Sequence, residues 1–475
     1  MRLGLRWLAV CAGLLAGAHW PAVCLAGNRA PFEDLYRQAL ELRTSQLGPA
    51  HPDTISSLVS VGALLRAHGH PEDAEPLLRK ALDAWSQSGP ADAATLTELA
   101  ETLAALGQNA EAEDFYLRSL DRSEPGERKA RALLRVAALR KRNGDAGGAQ
   151  QSYRGALDEF AKAGPLGTDA LKARASALND LGLLLEEEGE FEDALEVYRQ
   201  ASEAYAGAYG ETHPATAAAR ANLAGVLALG GEAAAASQLL EASVAVFRGA
   251  YGPRHDDTAR LRNRLGEVYE ALGRLKEAEA EYRAALTAWE QRSASRGLAL
   301  ADLGRVMGVQ GDLASAEAML AEAVSILKSA PPGLALELAE ASDSYGSVLR
   351  AQGRLDQAER LLREALAVRE RELGASHSDV ALTLVGLAGV LHLRRDLALA
   401  QPLYRRALDI QESVLGDAHP DVAETLYNLA HLWQALGDSA AARHGFERSA
   451  EILSEAYGPG DPFVEEIRAA LQALP

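Results

Sequence analysis

The feature that most restricts this chain is a pattern repeated ten times. A small residue is followed seven positions later by a turn residue, and five positions after that by alanine. The turn residues are Gly69, Gly107, Gly144, Gly189, Gly231, Gly273, Gly311, Gly353, Arg395 and Gly437, and the last position is alanine every time, from Ala74 to Ala442. Four residues beyond each alanine stands a larger side chain (Leu78, Tyr116, Tyr153, Tyr198, Leu240, Tyr282, Leu320, Leu362, Tyr404, Phe446), and three further on a small one. Steps of four and three hold these positions on one helix face. Each unit therefore reads as two antiparallel helices joined by a tight turn, where glycine closes the first helix without steric cost. The small residues allow close helix approach, and the large residue is expected to fill the gap toward the next hairpin.

A chain of 475 residues would by length alone make about three globular domains. One helical pattern runs almost end to end, however, so a single elongated domain is the expectation. Hydrophobic residues make up 48% and aromatic residues only 5%, which means that the apolar surface is mostly alanine and leucine. Those residues suit thin, repeated helix packing better than one thick core.

The ten units start near residues 55, 93, 130, 175, 217, 259, 297, 339, 381 and 423. Tyr36 and Ala39 have the spacing of a second helix, so residues 31–48 read as half a repeat, and Asp461-Pro462 opens a capping helix over 461–474. The count is about 22 helices. The longest join, 45 residues from turn to turn, contains Ala163-Gly164-Pro165-Leu166-Gly167-Thr168. It is compatible with a hinge, and an ordinary longer connector is the preferred reading.

The pattern resembles the tetratricopeptide repeat, whose usual period is about 34 residues. Most turns here are 42 residues apart, as in the longer repeats of kinesin light chains. The likeness is strongest at Leu415-Gly416-Asp417-Ala418-His419-Pro420-Asp421-Val422 and the following Leu426-Tyr427-Asn428-Leu429-Ala430. It covers nearly all of residues 27–475 and implies an all-α, right-handed α-solenoid of about ten hairpins, with the half repeat and the cap at its ends.

Residues 1–26 differ from the rest. Arg2 and Arg6 precede an uncharged, mostly apolar run of 12 residues from Trp7 to Ala18, and Cys24-Leu25-Ala26 offers a small-residue cleavage site. This reads as a secretory signal peptide. An uncleaved anchor is the competing reading, but His19 and Pro21 interrupt any extension toward the ~20 residues needed to span a membrane. The protein is accordingly expected to be exported, with the bacterial periplasm as its compartment and no stable membrane insertion after cleavage. Both cysteines lie in the leader, so the mature chain would have no disulfide, thiol nucleophile or Cys-ligated metal. Removing two of 48 basic residues and none of 67 acidic ones takes the formal charge from −19 to −21, which argues against nucleic acid as a partner.

No catalytic constellation stands out, and neither a metal nor a cofactor is expected. Five connectors carry a histidine (His51, His213, His255, His377, His419), but each lies in a different unit. Neighbouring helices are about 8 to 10 Å apart, whereas zinc ligands lie about 2 Å from the metal. These histidines read instead as turn chemistry before a new helix. The group His68, His70, Glu72, Asp73 and Glu75 supplies nitrogen and oxygen ligands, yet it also reads as a solvated turn with acidic residues at a helix start.

An otherwise acidic chain concentrates Arg128, Lys129, Arg131, Arg135, Arg140, Lys141 and Arg142 in the third unit's first helix. The template sets Lys141 and Arg142 level with Glu186 and Glu187, so interhelical ion pairs are the favoured reading. The functional alternative is a basic pocket for an acidic peptide, formed by Arg131, Arg135, Lys141 and Arg142.

In tetratricopeptide proteins the first helices line a groove, and the positions two and three before the small residue often point into it. The resemblance therefore nominates Asn179, Asp180, Asn222, Asn263, Arg264, Asp302, Asp343, Ser344, Tyr427 and Asn428 as peptide-binding residues. An asparagine amide can both donate to and accept from a peptide backbone. Glu98, Arg135 and Gly386 stand where asparagine would be usual, and the lysine and asparagine set of carboxylate-binding clamps is absent. The implied function is a non-catalytic scaffold or adaptor that holds an extended peptide or partner protein. The alternative is a regulatory or substrate-recognition subunit of a separately encoded envelope enzyme or export machine. The oligomeric state is not fixed by the sequence.

Overall fold

A computed structural model describes residues 40–289, 293–330 and 333–474. The leader at 1–26 lies outside the described residues, as does most of the half repeat, of which residues 40–47 are helical. The hairpins fall into two compact units, one ending at Ala250 and the other beginning at Tyr251.

In the first unit, α1 (Pro52–Ala67) pairs with α2 (Pro71–Ser88), α3 (Ala93–Ala105) with α4 (Asn109–Leu120) and α5 (Glu127–Arg142) with α6 (Ala146–Lys162). Two further pairs follow, α7 (Thr168–Glu187) with α8 (Phe191–Tyr209) and α9 (Pro214–Leu229) with α10 (Ala233–Tyr251). The second unit pairs α11 (Asp256–Ala271) with α12 (Leu275–Leu286), α13 (Ala294–Val309) with α14 (Leu313–Lys328) and α15 (Ala335–Ala351) with α16 (Leu355–Leu373). It continues with α17 (Ser378–Leu393) and α18 (Leu397–Leu415), then α19 (Pro420–Leu436) and α20 (Ser439–Tyr457), and closes with α21 (Pro462–Gln472). All regular structure among the described residues is helical, and each unit is an all-α solenoid.

The ten hairpin turns are built alike. In each, the residue after the turn position donates its N–H to the carbonyl five residues earlier, as in His70 to Leu65 (3.0 Å), Glu190 to Leu185 (2.8 Å) and Asp438 to Trp433 (2.9 Å). This bond requires the left-handed backbone at the turn position. Nine of the ten turns supply it with glycine, and Arg395 adopts it with φ 68°, as the one non-glycine residue at positive φ among the described residues.

The recurrent small and large residues meet inside the hairpin. A Cβ on Gly182 would fall 2.7 Å from the Tyr198 ring, and one on Gly266 would fall 2.6 Å from the Tyr282 ring. The large residue thus fills space over its own hairpin's small residue, and not only the gap toward the next hairpin. Tyr198 and Tyr282 are fully buried, as are the alanines of the pattern from Ala74 to Ala442. Their hydroxyls remain satisfied, because Tyr198 donates to Glu186 (2.8 Å) and Tyr282 to Glu270 (3.4 Å). Four of the 42-residue repeats owe their length to second helices of 19 residues (α8, α10, α16, α18), whereas α4 and α12 have 12.

The connector histidines are helix caps. His51, His213, His255, His377 and His419 each accept, through Nδ1, the N–H of the residue two positions on, at 3.1 to 3.3 Å. The imidazole therefore acts directly, and proline follows it at the first helical position in three of the five. The long join at 163–167 is an ordinary connector inside the first unit: Leu166 packs with Ala130, Phe160 and Ala170. Val464 and Ile467 of α21 are fully buried against the last hairpin, which covers its otherwise open end.

Candidate functional site

Within each unit a second helix packs on the first helix of the next hairpin, and several successive first helices also touch one another. The first helices thus form the inner row of each unit, and the nominated groove residues lie on that row.

The structure divides them. Asn179, Asn222, Arg264 and Asp302 are buried, so the expectation that they offer polar groups to a ligand is corrected for these four. For Asn179, Asn222 and Asp302 the reason is the closeness of adjacent first helices, which lets each of these side chains reach a neighbour. Asn222 on α9 donates to Oδ1 of Asn179 on α7 at 2.9 Å. Asn263 on α11 donates to Asp302 on α13 at 3.2 Å and to Glu267 at 2.8 Å. Arg305 also binds Asp302 at 3.1 Å and pairs with Glu270. The Asn222–Asn179, Asn263–Asp302 and Arg305–Glu270 contacts are rungs between hairpins.

The other six are half-buried. Asn263 belongs to the rung just described. Asp343 lies 3.8 Å from Arg369, and Ser344 is its neighbour on α15. Tyr427 donates to Glu466 of α21 at 2.8 Å and packs edge-on against Phe446 and Phe463. It therefore helps to seat the cap. Asn428 donates to the carbonyl of Glu424 on its own helix at 2.9 Å.

Asp180 has a different environment. Ser176 and Asn179 on its own helix and Lys141 on α5 favour its charged form, and the Tyr153 and Tyr205 hydroxyls feel its charge. Loss of solvent is the largest influence, and it pushes the carboxyl up to about 6 against the opposing pull of Lys141, Asn179 and Ser176. Tyr153 and Tyr205, both nearly buried, are pushed well above the ordinary phenol value, first by burial and then by this carboxylate.

The basic stretch on α5 does not make one pocket. Arg131 pairs with Glu127 on its own helix (2.8 Å) and Arg135 with Glu101 on α3 (3.1 Å). Lys141 reaches Glu187 on α7 (3.4 Å), while Arg142 donates to Asn109 on α4. Four cations are drawn to four different neighbours, and the expected pocket for an acidic peptide is corrected accordingly. Sequence reasoning passed over Arg66, which holds Glu98 (3.0 Å) and Glu101 (3.1 Å) on the inner row. Its signal was available, since it stands four residues after Gly62, as Lys141 stands four after Ala137. Among the described residues no three of His, Cys, Asp and Glu gather where a metal could sit, and no helix is long and apolar enough to cross a membrane.

Stacked hairpins whose polar inner row is built from first helices define a helical-repeat protein of the interaction type. The tetratricopeptide repeat pattern matches residues 33–87, 173–249, 221–291, 257–329, 337–413 and 379–455, and a second form of it matches 62–127. The chain belongs to the tetratricopeptide repeat family. Among solved structures it is similar to the kinesin light chain nearly identical TPR-like repeats of Podosopora anserina, with 20% identity, TM-score 0.37, and coverage of 42% of this chain and 96% of that one. It is similar also to BtubC (BKLC) from P. vanneervenii (17%, TM-score 0.34, 57% and 91%). A third is the C-terminal part of a TPR repeat-containing protein from Cytophaga hutchinsonii (14%, TM-score 0.40, 57% and 93%). No curated protein matches.

Proposed function

We propose that this protein is a non-catalytic scaffold that holds an extended segment of a partner protein against the inner row of its first helices, in an exported compartment. The repeat family itself indicates a protein–protein interaction scaffold. What supports the peptide mode is the inner row of the second unit, where Asn263, Asp343, Ser344 and Asn428 are half-buried at matching register positions. Polar groups spaced in this way along neighbouring helices can meet backbone amides along one extended chain. Export is supported by the basic start, apolar run and small-residue site of residues 1–26.

The test is site-specific photo-crosslinking in cells. A photoreactive residue at Ser176, Ser344 or Asn428 should capture a discrete partner, whereas one at the exposed second-helix position Glu241 should not. Capture only from the second-helix face would end the groove reading. Fractionation of the same cells tests export: the protein recovered only from the cytoplasm would refute it.

A further inference from the structure

Arg66 on α1 and Arg350 on α15 stand at the same place in their hairpins, three residues before the turn glycine. Arg66 reaches the next first helix, α3, and pairs there with Glu98 (3.0 Å) and Glu101 (3.1 Å). On α17, the first helix that follows Arg350, the positions of those two glutamates are held by Gly386 and Gly389. Arg350 still lies against that helix, since a Cβ on Gly389 would fall 2.8 Å from its Nη1. It is half-buried and makes no ion pair or hydrogen bond among the described residues. Arg305, by contrast, has Asp302 and Glu270, and Arg369 lies near Asp343.

A second donor meets Arg350 at the same point, because the Cβ position of Gly389 is 3.5 Å from the hydroxyl of Tyr404 on α18. Five hairpins carry tyrosine at this place, and four of them bring a carboxylate to it. Tyr198 donates to Glu186 and Tyr282 to Glu270, while Tyr116 and Tyr153 feel the charges of Glu101 and Asp180. In the ninth hairpin His392 stands where Glu186 and Glu270 stand, three residues before the turn. The buried Tyr404 makes no hydrogen bond through its hydroxyl among the described residues, and the charge that reaches it is that of Arg350. The field at His392 is of the same sign: burial first, then His431 on α19 and Arg395 at the turn, hold its imidazole below the ordinary value. The sixth hairpin shows what such donors take, for Glu270 accepts from Tyr282 and pairs with Arg305 of the next hairpin at once. Arg350 and Tyr404 repeat that pair of donors with glycine beneath them.

We propose that Arg350 and Tyr404 seat a carboxylate of the bound segment over Gly389, so that the second unit selects acidic peptides although the chain itself is acidic. This rests on the peptide-holding reading given above. The guanidinium supplies the charge and a planar pair of N–H donors, and the phenol donates to one carboxylate oxygen. His392 brings no competing negative charge where other hairpins place glutamate. A half-buried guanidinium without an acid partner gains more from an arriving carboxylate than a fully solvated one would.

Octapeptide pools with uncharged residues at all but the central position test the proposal. Three are blocked at both ends and carry Glu, Gln or Lys at the centre, and a fourth carries Gln and a free C-terminal carboxylate. Retention by the purified protein is measured by equilibrium dialysis at pH 7.5. The Glu pool, the free-carboxylate pool or both should be retained about tenfold more strongly than the blocked Gln pool, and the Lys pool least. The stronger of the two names the source of the carboxylate. R350Q should bring the acidic pools down to the Gln level, whereas R360Q, which removes an exposed charge from the second helix of the same hairpin, should leave the preference unchanged. G386E restores the carboxylate that Glu98 supplies to Arg66 and should abolish the preference with Arg350 still in place. The fold of each variant is checked by circular dichroism. Pools retained without an acidic preference, or a preference that survives both R350Q and G386E, would overturn the carboxylate seat and leave the groove reading standing. Failure to retain any pool would overturn both. N-acetyl-glutamate amide retained as strongly as the Glu pool would show a site for the anion alone, and would overturn the peptide form of the proposal.

Discussion

Asn222 on α9 gives its amide hydrogen to Asn179 on α7 across 2.9 Å, and neither side chain reaches solvent. The two residues are 43 positions apart, one repeat plus one, so the bond joins successive hairpins and not the two helices of one hairpin. Two groups that look like ligand contacts in sequence are thereby used to fix how neighbouring hairpins sit.

The rung should be measurable as coupling. Asn222→Ala leaves the Asn179 carbonyl buried without its donor and should cost about 1–3 kcal/mol of unfolding free energy in urea titrations. Asn179→Ala should cost a similar amount. The double variant should cost less than the two together, with a coupling of at least ~0.5 kcal/mol. Strictly additive losses would mean that the bond contributes nothing.

Asp180 should trade stability for charge. Its carboxyl is raised from the ordinary value of 3.8 to about 6, so folding favours the protonated form. The stability that this contributes is fully present below about pH 4 and is lost as pH rises through about 6. Asparagine resembles the protonated acid at all pH values. Asp180→Asn should therefore stabilise the free protein at pH 7.5 by roughly 2 kcal/mol and change little at pH 4. Equal effects at both pH values would show that the carboxylate is not desolvated.

Arg395 carries the cost of its left-handed backbone without an evident return. Its φ is 68°, its side chain is exposed, and the corresponding position is glycine in the nine other hairpins. Arg395→Gly should raise stability by about 1 kcal/mol, read as an upward shift in Tm. A fall in Tm would show that the guanidinium makes a contact worth more than the strain.

Much of the architecture is legible from spacing, because a hairpin is specified locally. The turn position, the alanine five residues later and the large residue four beyond that all act within one pair of helices. The cap at Pro462–Gln472 follows from the same local chemistry. The pairing of Lys141 with Glu187 also follows, since the template sets their helices level. What spacing does not convey is how near successive first helices come. That distance decides whether an inward residue meets solvent, as Ser344 partly does, or another side chain, as Asn222 does. Arg140 illustrates the same limit: its guanidinium turns back to Glu113 in the preceding hairpin at 2.7 Å. The connector histidines were legible as punctuation, but the capping role of the imidazole itself depends on a side-chain rotation that sequence does not fix.

The backbone bond that closes each of the ten first helices joins two peptide groups and, beyond the turn position itself, asks nothing of the side chain that follows it. Ten corners can therefore keep one shape while the residues flanking them vary from His70 to Glu190 to Asp438. The outer rim of turns is left free to change its charge and lettering, so hairpins could be exchanged, gained or lost without redesigning the joint.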